Sequence, residues 1–454
     1  MKNVYKVTAF ALPISIGMLM NIISNFFAMM MVAQLGKQEL AAGALAASTN
    51  MTLTTIIGTL FYAVGILVGH ARGQNKSSAD IGAIVKSSCW LVILLITPFS
   101  FLIWNANIIL LFFHQDPQLI SRAQGYFHYA ALSMVPLMTN GVISQFYTGM
   151  GHARFTMKIS MITLLPLLLL SYGFTLGKFG LPQLALAGVT CAAWIIQSIV
   201  CISLLFYLCA GKTPKQYAIF TNGFWPDWTL CKRILILGIP IGIQFGTELA
   251  ALAVATYMMG YFGVIALAAS QIVFQYVLIF ITIILGLTQA ISVLISQAYG
   301  QRNFNLIKDY LNAALIILAG LSAATFALFF LAPQELINLY LNTGDASNTE
   351  LNHLAIYFFM IAAVMLSVDG VRNLLSGTLR GMHDSKAPMR IGIACLWGIS
   401  LPASYLFAFT CHGGPIGLRI GLTSGFIVAS FLLWQRMRGK IILHESEIEY
   451  EAIN

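Results

Sequence analysis

The chain has 454 residues, 59% of them hydrophobic and 9% charged. Soluble domains average about 25% charged, so an ordinary soluble enzyme is excluded and a polytopic membrane protein is indicated. The formal net charge of +9 does not point to nucleic acid, because the basic residues sit in short segments between apolar runs, as membrane topology requires.

Twelve apolar runs follow in order, at residues 7–35, 40–69, 87–113, 123–149, 159–177, 182–210, 234–260, 264–297, 310–333, 351–379, 391–412 and 415–435. They are continuously apolar, whereas barrel strands would be about 10 residues long and alternate. An all-α integral membrane protein with twelve transmembrane helices is therefore predicted. Many runs exceed the roughly 20 residues that a span needs, which predicts tilt or overhang. The first, Val7–Leu35, is too long for the apolar region of a cleavable signal and lacks a small-residue cleavage site. Pro13 in the first run and Pro240 in the seventh remove a backbone donor and bend a helix, so both are expected hinges. The second run carries Thr49, Asn50, Thr52, Thr54 and Thr55, which either line a polar cavity or bond to backbone carbonyls. The seven cysteines form no CxxC pair and read as small buried hydrophobes. Gly211–Arg233, with Pro214 and Pro226, is the expected linker, and His444–Asn454, with four glutamates, an acidic solvated tail.

Lys and Arg are distributed unevenly. Nineteen lie at the N-terminus, in alternate loops and at the C-terminus, three (Lys37, Arg122, Lys178) in the other loops, and Arg372 and Arg419 within runs. That asymmetry predicts a multi-pass protein of a cell membrane, most simply a bacterial inner membrane, with both termini cytoplasmic.

The chain also repeats. At an offset of 227, Pro13 matches Pro240, Gly36 matches Gly263, Leu40-Ala41-Ala42 matches Leu267-Ala268-Ala269, and Gly73-Gln74 matches Gly300-Gln301. At 232, Gly149-Met150 matches Gly381-Met382; at 233, Pro182 and Gly188 match Pro415 and Gly421. Six runs per half make a parallel repeat about an axis along the membrane normal, an arrangement that commonly builds a transporter with its site between the halves. The expected organisation is an N-terminal lobe over 1–210, a cytoplasmic linker over 211–233, a C-terminal lobe over 234–436 and a charged tail over 437–454.

Only two of the 15 acids, Glu248 and Asp369, lie deep within the runs. A carboxylate there costs about 2.5–3.5 kcal/mol on insertion scales, and an intramembrane acid reads first as an ion or proton site. The alternative is structural pairing, above all of Asp369 with Arg372 at i,i+3. If Arg372 pairs with Asp369, it holds that acid ionised and leaves Glu248 as the main exchangeable group. Gln244 and Glu248 share one face of the seventh helix, and Gln271 and Gln275 one face of the eighth. Candidates for lining a cation or substrate site are Gln244, Thr247, Tyr257, Gln271, Gln275, Tyr276 and Asn373, with Asn21 at the position that matches Glu248 in the first half. Interhelical hydrogen bonding, worth about 0.6 kcal/mol on average, is the alternative for each glutamine. His70, His152 and His383 have no metal-ligand spacing, and Gly69–Gly73 lacks the lysine and serine of a P-loop. No enzyme chemistry, resident metal or cofactor is expected.

The chain resembles multidrug and toxic compound extrusion (MATE) transporters of the NorM-like branch. The resemblance is carried by Met31–Gly36 with Leu40-Ala41-Ala42, by Gly263 with Leu267–Ile272, by Gln297–Gln301, and by Asp369-Gly370 with Ser376–Gly381. It implies two six-helix lobes and a cation-coupled antiporter that exports lipophilic, often cationic compounds in exchange for sodium or protons. Glu248 and Asp369 fall where that branch keeps its C-terminal acids. Two departures stand out: Ala28 replaces an aspartate that many bacterial members carry in the first helix, and Arg372 replaces an uncharged polar residue. Small lipophilic or cationic molecules and membrane lipids are the expected partners, with sodium or protons as the transported ions and a monomer as the working unit. A flippase for a lipid or lipid-linked oligosaccharide is the alternative; it would show several cationic residues lining a cavity.

Overall fold

The computed structural model describes residues 2–112, 116–210, 225–340 and 348–453. The linker expected over 211–233 lies outside the described residues as far as 224. Helices α1 (Lys2–Ala33), α2 (Lys37–Leu60), α3 (Tyr62–Gly73), α4 (Ser78–Trp104), α5 (Ala106–Phe112), α6 (Pro117–Gly149), α7 (Ala153–Leu176) and α8 (Ala187–Ala210) build the first half. The second half consists of α9 (Trp228–Gly260), α10 (Val264–Gly300), α11 (Phe304–Leu331), α12 (Pro333–Asn338), α13 (Thr349–Gly381), α14 (Lys386–Thr410, with π turns at Leu396–Ser400 and Leu406–Thr410) and α15 (Gly414–Ile453). Counting α2 and α3 as one span, eleven helices among the described residues are long and apolar enough to cross a membrane. The twelfth long helix, α6, runs for 33 residues and is the counterpart of α13.

The helices overrun the apolar runs because a run measures the part buried in lipid, not the extent of the helix. The apolar run begins at 123, but α6 starts at Pro117, behind an Asp116 side chain that accepts from the Gln118 amide at 2.8 Å. That is an N-cap, with proline where its missing N–H costs nothing. The threonines of α2 turn inward: Thr49 donates to the Leu45 carbonyl at 2.9 Å, Thr52 to Ser48 at 2.9 Å and Thr54 to Asn50 at 2.7 Å. Backbone bonding accounts for these three. The last helix carries on to Ile453, through the segment expected to be a solvated tail.

The repeat is visible in the backbone. Lys37 and Gly73, which bound α2–α3, map at 227 onto Val264 and Gly300, which bound α10. At 232, Pro117 and Gly149 map onto Thr349 and Gly381. Left-handed residues recur in register: Gly36 with Gly263, Asn75 (φ 52°) with Arg302 (φ 55°), Gly151 with His383, and Phe179 (φ 59°) with His412 (φ 54°). Helix crossings recur too. A Cβ on Gly149 would lie 2.7 Å from Val68 and 2.8 Å from the Gly65 carbonyl; one on Gly381 would lie 3.0 Å from Ile295 and 2.6 Å from the Ser292 carbonyl. Val68 and Gly65 map at 227 onto Ile295 and Ser292. Both glycines let two backbones close on each other, as lipid-embedded helices require.

Two compact units form. One holds Ile16–Gly242; the other holds Met1–Ser15 with Ile243–Asn454. The border therefore falls inside α1 and α9, at matched residues, two positions past Pro13 and Pro240, rather than in the linker. Local packing accounts for it. Gly242 allows the start of α9 to lie on α2, where an added Cβ would come within 2.7 Å of the Ile56 carbonyl. At the matched position of α1, Ser15 donates to the Ile283 carbonyl of α10 at 3.2 Å. In the first unit Phe61, Phe127 and Phe146 are fully buried; in the second Phe329, Phe358 and Phe359 are.

Candidate ion-coupling site

The site lies within the second compact unit, between α9 and α13. Helical spacing sets it up. Asp369, Arg372, Asn373 and Arg380 stand at i, i+3, i+4 and i+11, one face of α13. Gln244 and Glu248, at i and i+4, form the facing stripe of α9. Arg372 Nε donates to Asp369 Oδ1 at 2.7 Å, and its Nη1 donates to Glu248 Oε1 at 2.6 Å. Asn373 Nδ2 donates to Asp369 Oδ2 at 3.0 Å, and Gln244 Nε2 donates to Glu248 Oε1 at 2.9 Å. Arg380 Nη2 in turn donates to Gln244 Oε1 at 2.7 Å. The result is one continuous polar chain, Asp369–Arg372–Glu248–Gln244–Arg380, along two apolar helices.

Its surroundings are apolar. The Arg372 guanidinium lies over Phe426 of α15, 5.2 Å from the ring centroid, and that of Arg380 over Phe245, at 5.3 Å. Gly392 of α14 leaves room beside Gln244, whose nearest atoms would lie 3.7 Å from an added Cβ. Arg372, Gln244, Asn373, Arg380 and Asp369 are all buried, while the Glu248 side chain keeps 18% of its surface. Two opposite charges at 4 Å attract by about 4 kcal/mol at an effective dielectric of 20. Desolvation costs several kcal/mol per ion. Such a cluster is held only while every member keeps its partner.

Helical spacing pairs Arg372 with Asp369 alone and leaves Glu248 outside the pair. The structure corrects this: the guanidinium is planar with several donors, so Nη1 reaches Glu248 while Nε holds Asp369. Arg380, counted among the loop cations, belongs to the site as well. The signal was available, since 11 residues are three helical turns from Asp369.

Other candidates stand apart from the carboxylates. Thr247 donates to the Ile243 and Gln244 carbonyls of its own helix, at 2.9 Å each. Tyr257 is exposed, and so are Gln271 and Gln275, none of which reaches either acid. Tyr276 donates to the Leu336 carbonyl at 2.8 Å and packs against Phe359. Asn21 belongs to the other compact unit, where its Nδ2 donates to the Gly17 carbonyl at 3.2 Å. Arg419, the other cation within a run, donates to Ser270 Oγ at 2.6 Å and lies over Phe358.

The MatE family model matches residues 13–173 and 240–406, one stretch in each half of the repeat. The chain belongs to the MatE family. A probable multidrug resistance protein NorM of Synechocystis is 31% identical over 429 residues, covering 94% of this chain and 92% of its own; one of Rhizobium meliloti is 30% identical, covering 90% and 88%. Among solved structures, an outward-facing multidrug resistance MATE family transporter of the MOP superfamily superimposes with a TM-score of 0.87 at 18% identity, over 97% of this chain and 96% of that one. A MOP superfamily transporter from Pyrococcus furiosus gives the same TM-score at 18% identity, over 98% and 97%. As a MatE protein the chain is a multi-pass secondary transporter rather than an enzyme, and its fold is the two-lobed, twelve-helix fold of that family. Among the described residues no three His, Cys, Asp or Glu side chains converge as a metal centre.

Proposed function

We propose that this transporter exports lipophilic, often cationic compounds in exchange for sodium ions or protons, by alternating access of two six-helix lobes, 1–210 and 234–436. Glu248 and Asp369 carry the coupling ion. One observation supports this above all: the only two acids deep in the spans, 121 positions apart in sequence, lie against one cationic group between α9 and α13. A site that already holds positive charge is built for cations. Carboxylate and amide oxygens are also the hard ligands that suit sodium, and a carboxylate accepts a proton equally. Export of drugs follows the relatives, which are probable multidrug resistance proteins, and the lipophilic, often cationic class follows the family resemblance.

In this reading the termini are cytoplasmic, the working unit is a monomer, and Pro13 and Pro240 let α1 and α9 bend. Purified protein in liposomes, with sodium and proton gradients imposed separately, tests the reading through efflux of a fluorescent lipophilic cation. Efflux driven by either inward gradient, and absent without one, is expected. Efflux indifferent to both gradients would refute it. A reporter fused after Asn454 is expected on the cytoplasmic side.

A further inference from the structure

Glu248 and Asp369 do not face an open space; they face Arg372. Each gives one oxygen to the guanidinium, at 2.6 and 2.7 Å. Of the remaining two oxygens, Asp369 Oδ2 accepts from Asn373, while Glu248 Oε2 accepts from no donor among the described residues. Arg372 is buried, lies over Phe426, and comes from the same helix as Asp369. It therefore stands where an ion shared by the two carboxylates would stand. Arg380 ends the same hydrogen-bonded chain, joined to Glu248 through Gln244. The formal charges of Glu248, Asp369, Arg372 and Arg380 sum to zero, so a further monovalent cation would leave the cluster positive.

We propose that Arg372 is the resident counter-cation of this site, a tethered guanidinium that competes with the exchanged ion for Glu248 and Asp369 and so sets the site's cation affinity low. This rests on the reading of the two acids as the coupling site. An incoming cation gains a foothold on Glu248 Oε2 and must then displace Nη1 from Oε1. The tether keeps the guanidinium at high effective concentration, so the displaced state reverts when the cation leaves. A purely structural ion pair between α9 and α13 makes a different forecast: its removal would weaken the fold and create no new binding.

The test is sodium binding to the purified full-length protein by titration calorimetry, on wild type, Arg372→Gln, Arg372→Lys and the double variant Arg372→Gln with Glu248→Gln. Arg372→Gln is expected to bind sodium at least tenfold more tightly than wild type, and the double variant to lose that gain. Lysine keeps the charge but cannot fork to both carboxylates, so Arg372→Lys is expected to gain about threefold, and it carries the test if the glutamine variant does not fold. Sodium affinity unchanged or weaker in the folded variants overturns the proposal. So does a gain that survives Glu248→Gln. The liposome assay separates this from the function itself: if wild type ignores both ion gradients, the coupling reading fails and the proposal falls with it, whereas coupled wild-type transport with no sodium gain in Arg372→Gln overturns the proposal alone.

Discussion

The two halves of this chain place different chemistry at matched positions. By the repeat offsets, Arg372 corresponds to Asn140, Asp369 to Leu137 and Glu248 to Asn21. In the second half the position is charged, and Arg372 ties α13 to α9 through two carboxylates. In the first half Asn140 ties α6 to α8 through neutral amide bonds, donating to Gln197 Oε1 at 2.7 Å and to its carbonyl at 3.0 Å. Meanwhile the glycine crossings, the helix ends and the left-handed turns are shared by both halves. The first half thus holds its matched position with a neutral tie, and to another helix, since α8 corresponds to α15 and α9 to α1. The three charges of the second half are costly to bury, and the proposed coupling role gives that cost a use.

The comparison breaks first at Glu248. Glu248→Gln is expected to lower ion-driven export at least tenfold while the protein stays folded, and Asn21→Ala to change it less than twofold, both read by efflux from liposomes. Equal effects would erase the distinction between the halves. Asp369→Asn is expected next, because it removes one of two anions from a buried guanidinium: about 3 kcal/mol of stability, seen as a lower unfolding temperature in detergent. Gly149→Ala and Gly381→Ala sharpen the other side of the comparison. Each is expected to cost about 1–3 kcal/mol by overpacking, and to cost alike, since each Cβ would meet a carbonyl within 2.8 Å. The smallest effect is expected for Gln197→Ala in the first half, about 0.6 kcal/mol, the ordinary worth of an interhelical hydrogen bond in a membrane.

Much of this was legible in the chain. Apolar runs place helices because lipid demands it, and ordered Gly and Pro matches reveal a repeat because those residues answer to backbone geometry. Helix ends were less legible, since Asp116 and Pro117 begin α6 ahead of its apolar run. The border of the compact units within α1 and α9 was not, because it depends on which neighbour Ser15 and Gly242 meet. At the site, the two acids and Arg372 stood out by their cost in lipid. Arg380 did not, because at the end of an apolar run a buried arginine and a loop arginine read alike. That Glu248 shares the guanidinium with Asp369 is a contact between distant segments, which no spacing encodes.

On the proposed reading the second half's carboxylates couple ion movement to export. Simultaneous measurement of labelled sodium or proton flux and of drug efflux, in liposomes holding wild type, Glu248→Gln or Asn140→Ala, tests it most directly. Ion entry tied to drug exit in wild type and in Asn140→Ala, and lost in Glu248→Gln, is the predicted result. Coupled flux that persists undiminished in Glu248→Gln would contradict it.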